Sequence, residues 1–238
     1  MRVADLPGND EERLAALHSY DILDSLPEKE YNDITLLAST ICSTPISLIS
    51  FIDDKRQWFK SNHGLSVRET PKDYAFCSHA ILDPSAILIV PDSRADERFS
   101  GNPLVEGDPH VIFYAGVPLV NKDGFPLGSL CVIDNKTRTL SENQLAALKI
   151  LSGHVVSLLE LRRATKTMTV LQKLLEERNE ELQQRVDQFD TQVIPMVKAI
   201  QNDIATLERT PGAGTESRQH LFENVKTRIS LLEAFLNM

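Results

Sequence analysis

The sequence predicts an α+β protein: a small sheet with its own helices, then a long coiled-coil helix and a helical hairpin. Three observations predict it. Apolar residues recur at helical spacing near the N-terminus; short β-branched or aromatic runs bounded by Gly, Pro, Asn and Asp fill the middle; and a helical period starting at Ser141 meets no glycine after Gly153 and no proline before Pro195. With 238 residues and 42% apolar content, the chain can bury one full domain and keep a substantial segment over. The order divides it into a globular domain over residues 1–160, a coiled-coil helix over 161–193 and a helical hairpin over 194–238.

The first helix lies in "EERLAALHSYDIL" and the second in "EKEYNDITLLASTIC", where Tyr31, Ile34, Leu37, Ala38 and Ile41 share a face and Pro27 sits near the start. The runs "PISLISFIDD", "RQWFKS", "AILIVPD", "VIFYAGVPLV" and "FPLGSLCVID" give about five strands of one sheet. "NKDG" separates the last two, and its Asp123-Gly124 pair predicts an antiparallel hairpin. The second and third strands, and then the third and fourth, are joined by connections so long that a functional role is expected of them.

Ser141 and Gln144 form a capping box that opens the long helix. Along it Leu161, Met168, Leu175, Leu182, Phe189 and Met196 recur every seven residues, while the other seam reads Ala164, Leu171, Arg178, Arg185 and Gln192. One apolar and one increasingly polar seam describe a parallel dimeric coiled coil that weakens towards its C-terminal end; the alternative is a single helix lying on the domain. After the breaker "TPGAGT", Leu221, Val225, Ile229, Leu232 and Phe235 mark one face of a last helix, so the tail reads as an antiparallel hairpin and, in a dimer, a four-helix bundle.

Charge narrows the function. Residues 1–160 carry 14 Lys and Arg against 23 Asp and Glu, whereas residues 161–238 carry 11 of each, so the net charge of −9 belongs to the first part. An acidic domain without a basic, aromatic-interleaved cluster repels phosphate backbones, and nucleic-acid binding is not expected. No run resembles a membrane span or a secretory leader, which points to the cytoplasm and to no membrane partner. Cys42, Cys77 and Cys131 are widely spaced in apolar surroundings and read as reduced thiols.

The stretch "YAFCSHAIL" holds the sharpest chemistry. Cys77 and His79 supply two metal ligands where zinc wants four, or three and a water, so no metal site is expected. Alternation in "RQWFKS" sends Trp58 and Phe59 to opposite faces, one to the core and one towards a pocket rim or helix. Arg94 and Arg98 are the best cations for an anionic ligand, with Asp96 and Glu97 as competing partners. Tyr114 can present a phenol to a cavity or point outward.

The strings "YDILDSLPEKEYNDITLLAS", "ISLISFIDDKRQWFKSNHGL", "ETPKDYAFCSHAIL", "PDSRADERFSGNPLVEGDPHVIFYAGVPL" and "LGSLCVID" closely resemble the GAF domains at the N-termini of bacterial signalling proteins, such as sensor histidine kinases and diguanylate cyclases. The resemblance runs from about Glu11 to about Arg162 and implies an antiparallel sheet flanked by helices, with a small-molecule pocket between the sheet and the two long connections. Trp58, Phe76, Cys77, His79, Arg98, Phe99 and Tyr114 are then the expected ligand-binding residues, for an unidentified small molecule or none. Bilin-binding GAF domains carry adjacent Cys and His, whereas Ser78 separates them here. The free methionine sulfoxide reductase branch of the family uses a nucleophilic cysteine and a resolving one; Cys77, with Cys131 54 residues on, is the candidate, although that spacing departs from the enzyme's.

A second resemblance is to the dimerisation and phosphotransfer hairpin of histidine kinases, in "FDTQVIPMVKAI". Aligning Pro195 with the proline of His-Glu-x-x-x-Pro puts Asp190 at the phospho-acceptor position and Thr191 at the acidic one, so the imidazole nucleophile is missing. A degenerate kinase hairpin and a plain dimerisation pair both fit. The expectation is a non-enzymatic cytoplasmic signal-transduction protein of two-component type, a homodimer through residues 161–238 that contacts a histidine kinase or response regulator, unless a kinase or cyclase domain follows Met238 in the natural protein. The alternatives are the sulfoxide reductase-like enzyme using Cys77 and a ligand-free adaptor of pseudo-kinase type.

Overall fold

The structure, a computed structural model, describes residues 1–209 and 215–236; the chain forms two compact units, residues 1–167 and 168–238. In the first, helix α1 (Asp10–Ser19) begins with Asp10, Glu11 and Glu12, acids suited to the positive end of a helix. Arg13 is fully buried and donates to Asp10 at 2.6 Å and to the Ile52 carbonyl at 2.7 Å, tying α1 to the sheet. Helix α2 (Lys29–Cys42) ends where Ser43 turns left-handed at φ 52°.

Six strands follow: β1 (Ile46–Ile52), β2 (Arg56–His63), β3 (Glu69–Pro71), β4 (Leu88–Val90), β5 (Phe113–Val120) and β6 (Pro126–Asp134). They form one sheet in the order β3-β2-β1-β6-β5-β4, every neighbouring pair antiparallel. The β5–β6 hairpin turns where Gly124 takes φ 87°, a conformation L side chains resist, and the Asn121 side-chain oxygen accepts from Asp123 N–H at 3.1 Å and Phe125 N–H at 2.8 Å. Sequence periodicity predicts about five strands. The sixth, β3, escapes it because a three-residue edge strand ending in Pro71 carries no alternation.

Strand β1 is buried along its whole length because both faces of the sheet are covered. Ile49 and Phe51 join Phe113, Ala115, Leu130 and Val132 on one face, under α2 and the long helix α5 (Glu142–Gln188). Leu48 and Ile52 join Tyr114, Cys131 and Ile133 on the other, beneath the short helices α3 (Phe76–Ala80) and α4 (Pro103–Glu106). These two helices lie inside the long connections.

Helix α5 opens on the expected capping box: Gln144 N–H donates to Ser141 Oγ at 3.3 Å, and Gln144 Oε1 accepts from Ser141 N–H at 2.9 Å. The helical run Glu142–Thr206 is long enough, and in one stretch apolar enough, to cross a membrane by length and composition alone. Leu148, Val155 and Leu159 instead pack into the first core.

In the second unit, α5 passes into a π-helical turn at Phe189–Val193, followed by α6 (Ile194–Arg209) and α7 (Thr215–Leu236). Pro195 explains the turn: it has no N–H to donate, and its ring crowds the carbonyl four residues back, that of Thr191. Helices α6 and α7 pack together, with Arg228 and Asp203 paired at 3.0 Å. Most of the breaker "TPGAGT", residues 210–214, lies outside the described residues. On α5 the heptad side chains Leu161, Met168, Leu175 and Leu182 are all exposed in the single chain.

Candidate functional site

The face of the sheet beneath α3 and α4 contains a cavity of about 190 Å³. Its floor is made by alternate residues of the strands, among them Leu48, Phe59, Tyr114 and Cys131; the first long connection contributes Leu65 to Val67, and Phe76, Cys77, Leu104 and Asp108 close the other side. Strand alternation sets this arrangement, since residues two apart share a face.

Cys77 points inward from α3 and is 1% exposed. Its sulfur accepts from Ser50 Oγ at 3.0 Å and from Tyr114 Oη at 3.2 Å, and the Tyr114 phenol is also 3.2 Å from Ser129 Oγ. Gly116 makes room for that phenol, because a Cβ at this position would lie 2.1 Å from the Tyr114 oxygen. Burial alone pushes a thiol up, but hydrogen bonds from Cys131, Ser129, Ser50 and Tyr114 outweigh it and hold Cys77 down at about 6. The contact with Cys77, together with burial, raises Cys131 well above the usual thiol range, and burial with the neighbouring Cys77 charge does the same to the Tyr114 phenol. The donors around Cys77 thus favour its ionised form, while Cys131 and Tyr114 are biased to keep their protons. Cys42, away from this group, is pushed up to about 11 by burial.

Of the residues expected at the pocket, Phe76, Cys77 and Tyr114 line the cavity and the other four do not. Trp58 faces the opposite core, stacked near Phe51 with ring centroids 6.4 Å apart, and Phe59 takes the cavity side. His79 stands two residues from Cys77, about 200° round a helix. Its Nε2 lies 3.1 Å from the Arg2 carbonyl and its ring meets the edge of Phe99 at 4.9 Å; burial keeps the imidazole below its usual pKa, against the opposing effect of the Arg2 bond. Phe99 stacks on Phe76 at 3.9 Å behind the cavity wall, and Arg98 is held by Asp96 at 2.7 Å over the Phe99 ring. Arg94 is paired with Asp92 at 2.7 Å.

Sequence reasoning missed Ser50, Ser129, Gln57 and Thr70. Ser50 and Ser129 had a signal: hydroxyls within otherwise apolar strand runs must find partners when buried. Gln57 and Thr70 face each other across the β2–β3 pair, which depends on the unforeseen edge strand. Among the described residues, no group of three His, Cys, Asp or Glu is placed to hold a metal ion. Asp190 is exposed on the π-helical turn, and Thr191 beside it returns its hydroxyl to the Asp187 carbonyl at 2.7 Å.

A six-stranded antiparallel sheet with α2 and α5 on one face, and on the other an open-mouthed cavity beneath α3 and α4, is the architecture of a small α+β domain with a pocket on its sheet. The chain belongs to the GAF domain family, whose sequence model matches residues 23–159. It is 38% identical over 160 residues to the cyclic di-GMP phosphodiesterase PA2567 of Pseudomonas aeruginosa, covering 67% of this chain and 27% of that protein. The chain therefore spans about a quarter of the relative's length. Among solved structures, it is similar to the blue-light-absorbing form of the Thermosynechococcus elongatus PixJ GAF domain, with a TM-score of 0.51 and 14% identity over 61% of this chain and 92% of that one. The GAF domain of an Acinetobacter phosphoenolpyruvate-protein phosphotransferase gives a TM-score of 0.49 at 16% identity, covering 67% and 97%.

Proposed function

We propose that the chain is a non-enzymatic GAF sensor of a cytoplasmic signalling system, a homodimer through residues 161–238 in which a small molecule held in the cavity alters the packing of α5 and so the contacts of the helical hairpin. The observation that carries this reading is that the cavity and α5 share the same strands. Tyr114 and Cys131 face the cavity, while Ala115 and Val132, their chain neighbours, face the core that holds Leu148, Val155 and Leu159 of α5. Ser152 also donates directly to the Pro118 carbonyl of β5 at 3.2 Å. A ligand that displaces the cavity floor shifts strands on which α5 rests, and a packed core passes such shifts on as small rigid displacements.

The exposed heptad seam supports the parallel coiled coil, since an unpartnered row of this kind is covered in a two-stranded coil. The hairpin with Asp190 at the phospho-acceptor position supports a scaffold of pseudo-kinase type that engages a histidine kinase or response regulator without passing phosphate itself. The Pseudomonas relative, by name a cyclic di-GMP phosphodiesterase, supports a signalling context. An acidic first part keeps the protein from nucleic acid and anionic membranes. Native mass spectrometry tests the reading. A dimer carrying a small mass that leaves on denaturation is expected; a bare monomer would refute it.

A second reading, the free methionine sulfoxide reductase-like enzyme, is favoured by the contact between Cys77 and Cys131. In that chemistry the Cys77 thiolate attacks the sulfoxide sulfur, the oxygen takes up a proton and passes to Cys77 as a sulfenic acid while methionine leaves, the Cys131 thiol condenses with it to a disulfide and water, and two external thiols reduce the disulfide. Turnover of free methionine sulfoxide that disappears in Cys77→Ala would establish it.

A further inference from the structure

Among the described residues lining the cavity there is no Lys, Arg or His, and there are two carboxylates, Glu69 and Asp108. We propose that the cavity takes a small organic molecule that is uncharged or singly positive, one ring or short chain with an amine or amide arm, and rejects phosphates and carboxylates. This rests on the sensor reading and names the ligand class of the same site.

Four observations carry it. Glu69 is held by Arg56 at 2.7 Å, but that guanidinium also serves Asp24 at 2.6 Å and Asp53 at 3.2 Å, so it has no charge to spare for a ligand. Asp108, exposed at the rim, has neither a salt bridge nor a side-chain hydrogen bond among the described residues. In the same lining, Gln57 Oε1 and Thr70 Oγ1 are buried without a hydrogen-bond partner among the described residues. A buried amide oxygen calls for a donor, and Gln57 is 5% exposed. The electron-rich Cys77 sulfur completes a lining that offers an anion nothing to replace its water.

Size points the same way. Ligand pockets usually span about 300 to 1,000 Å³, whereas this cavity is about 190 Å³. An apolar cavity of about 150 Å³ holds benzene, so a ring with a short polar arm fills this one, whereas a nucleotide would leave its phosphate at a mouth that offers it no cation.

The probes are 2-phenylethylamine, phenylacetamide and phenylacetate, which share a ring and differ in charge, titrated calorimetrically into the full chain, with cyclic GMP as a fourth. The amine and the amide are expected to bind about tenfold or more tighter than the acid, the scale of one lost charge or hydrogen-bond match, with no binding of cyclic GMP. Gln57→Leu should weaken both good probes. Asp108→Asn, at the exposed rim where it does not endanger folding, should reduce the amine alone. Equal or tighter binding of phenylacetate or cyclic GMP would overturn the ligand class and leave the sensor reading standing, and binding of none of the four would also overturn it. A probe that binds in the expected order without changing the pairing of α5 between protomers would uphold the class and overturn the sensor mechanism.

Discussion

At the scale of the residue, Cys77 is where sequence, structure and chemistry meet. Its thiolate is stabilised by Ser50, Tyr114, Ser129 and Cys131, so alkylation by a small neutral reagent should rise with pH through about 6, while Cys42, pushed up to about 11, stays inert at neutral pH. Ser50→Ala removes a donor and should move that inflection upward; mass spectrometry of the alkylated peptide across pH reads both, and an unmoved inflection would remove Ser50 from the account. The stretch "YAFCSHAIL" sets Cys77 and His79 side by side, yet only Cys77 lines the cavity. Nothing in the string shows that the helix is a single turn over the cavity, which turns the two side chains apart, nor that the N-terminal segment arrives to accept a hydrogen bond from His79. Trp58 and Phe59 were correctly divided between faces by alternation. Which face held the cavity depended on where α2 and α5 settle, a tertiary fact that the strand itself does not carry.

At the scale of the element, the long helix was the most legible part of the sequence because its cap, its heptads and its lack of breakers agree. Strand β3 and the π-helical turn were not, one being too short for a period and the other a local response to Pro195. Equally hidden was the polar clamp around the first unit's helices. Lys60, 1% exposed, donates to Ser25 Oγ at 2.7 Å, to the Leu26 carbonyl at 2.7 Å and to Glu28 at 2.6 Å, and Arg162 of α5 reaches the same carboxylate at 2.8 Å. Burial dominates at Lys60 and lowers its pKa despite the partner. At the more open Glu28 burial acts upward, but the bonds from Lys60 and Arg162 prevail and hold the carboxyl below its usual range. Both values fall, but the same direction disfavours the charged ammonium and favours the charged carboxylate, because burial prevails at Lys60 and the hydrogen bonds prevail at Glu28. Glu28→Gln should cost about 1 to 3 kcal/mol, read as a lower urea midpoint by tryptophan fluorescence. Because Glu28 is depressed on folding, its contribution is fully present above pH ~4.5 and is lost as pH falls through the folded-state value. The wild-type midpoint should therefore fall there more steeply than that of the variant; parallel curves would show that the clamp contributes nothing.

At the scale of the whole molecule, a cavity without a cation in its described lining, a floor of strands shared with α5 and a heptad seam exposed along that helix belong to one proposed mechanism. Its central claim is that occupancy of the cavity is felt at the seam in a dimer. The most direct measurement is double electron–electron resonance between nitroxide amino acids placed at position 172 of the two protomers, with 2-phenylethylamine titrated in. The account predicts a single close inter-protomer distance that shifts as the probe saturates the cavity, and no shift in Gln57→Leu at the same concentration. An absent inter-protomer distance, or one unmoved at saturation, would contradict it.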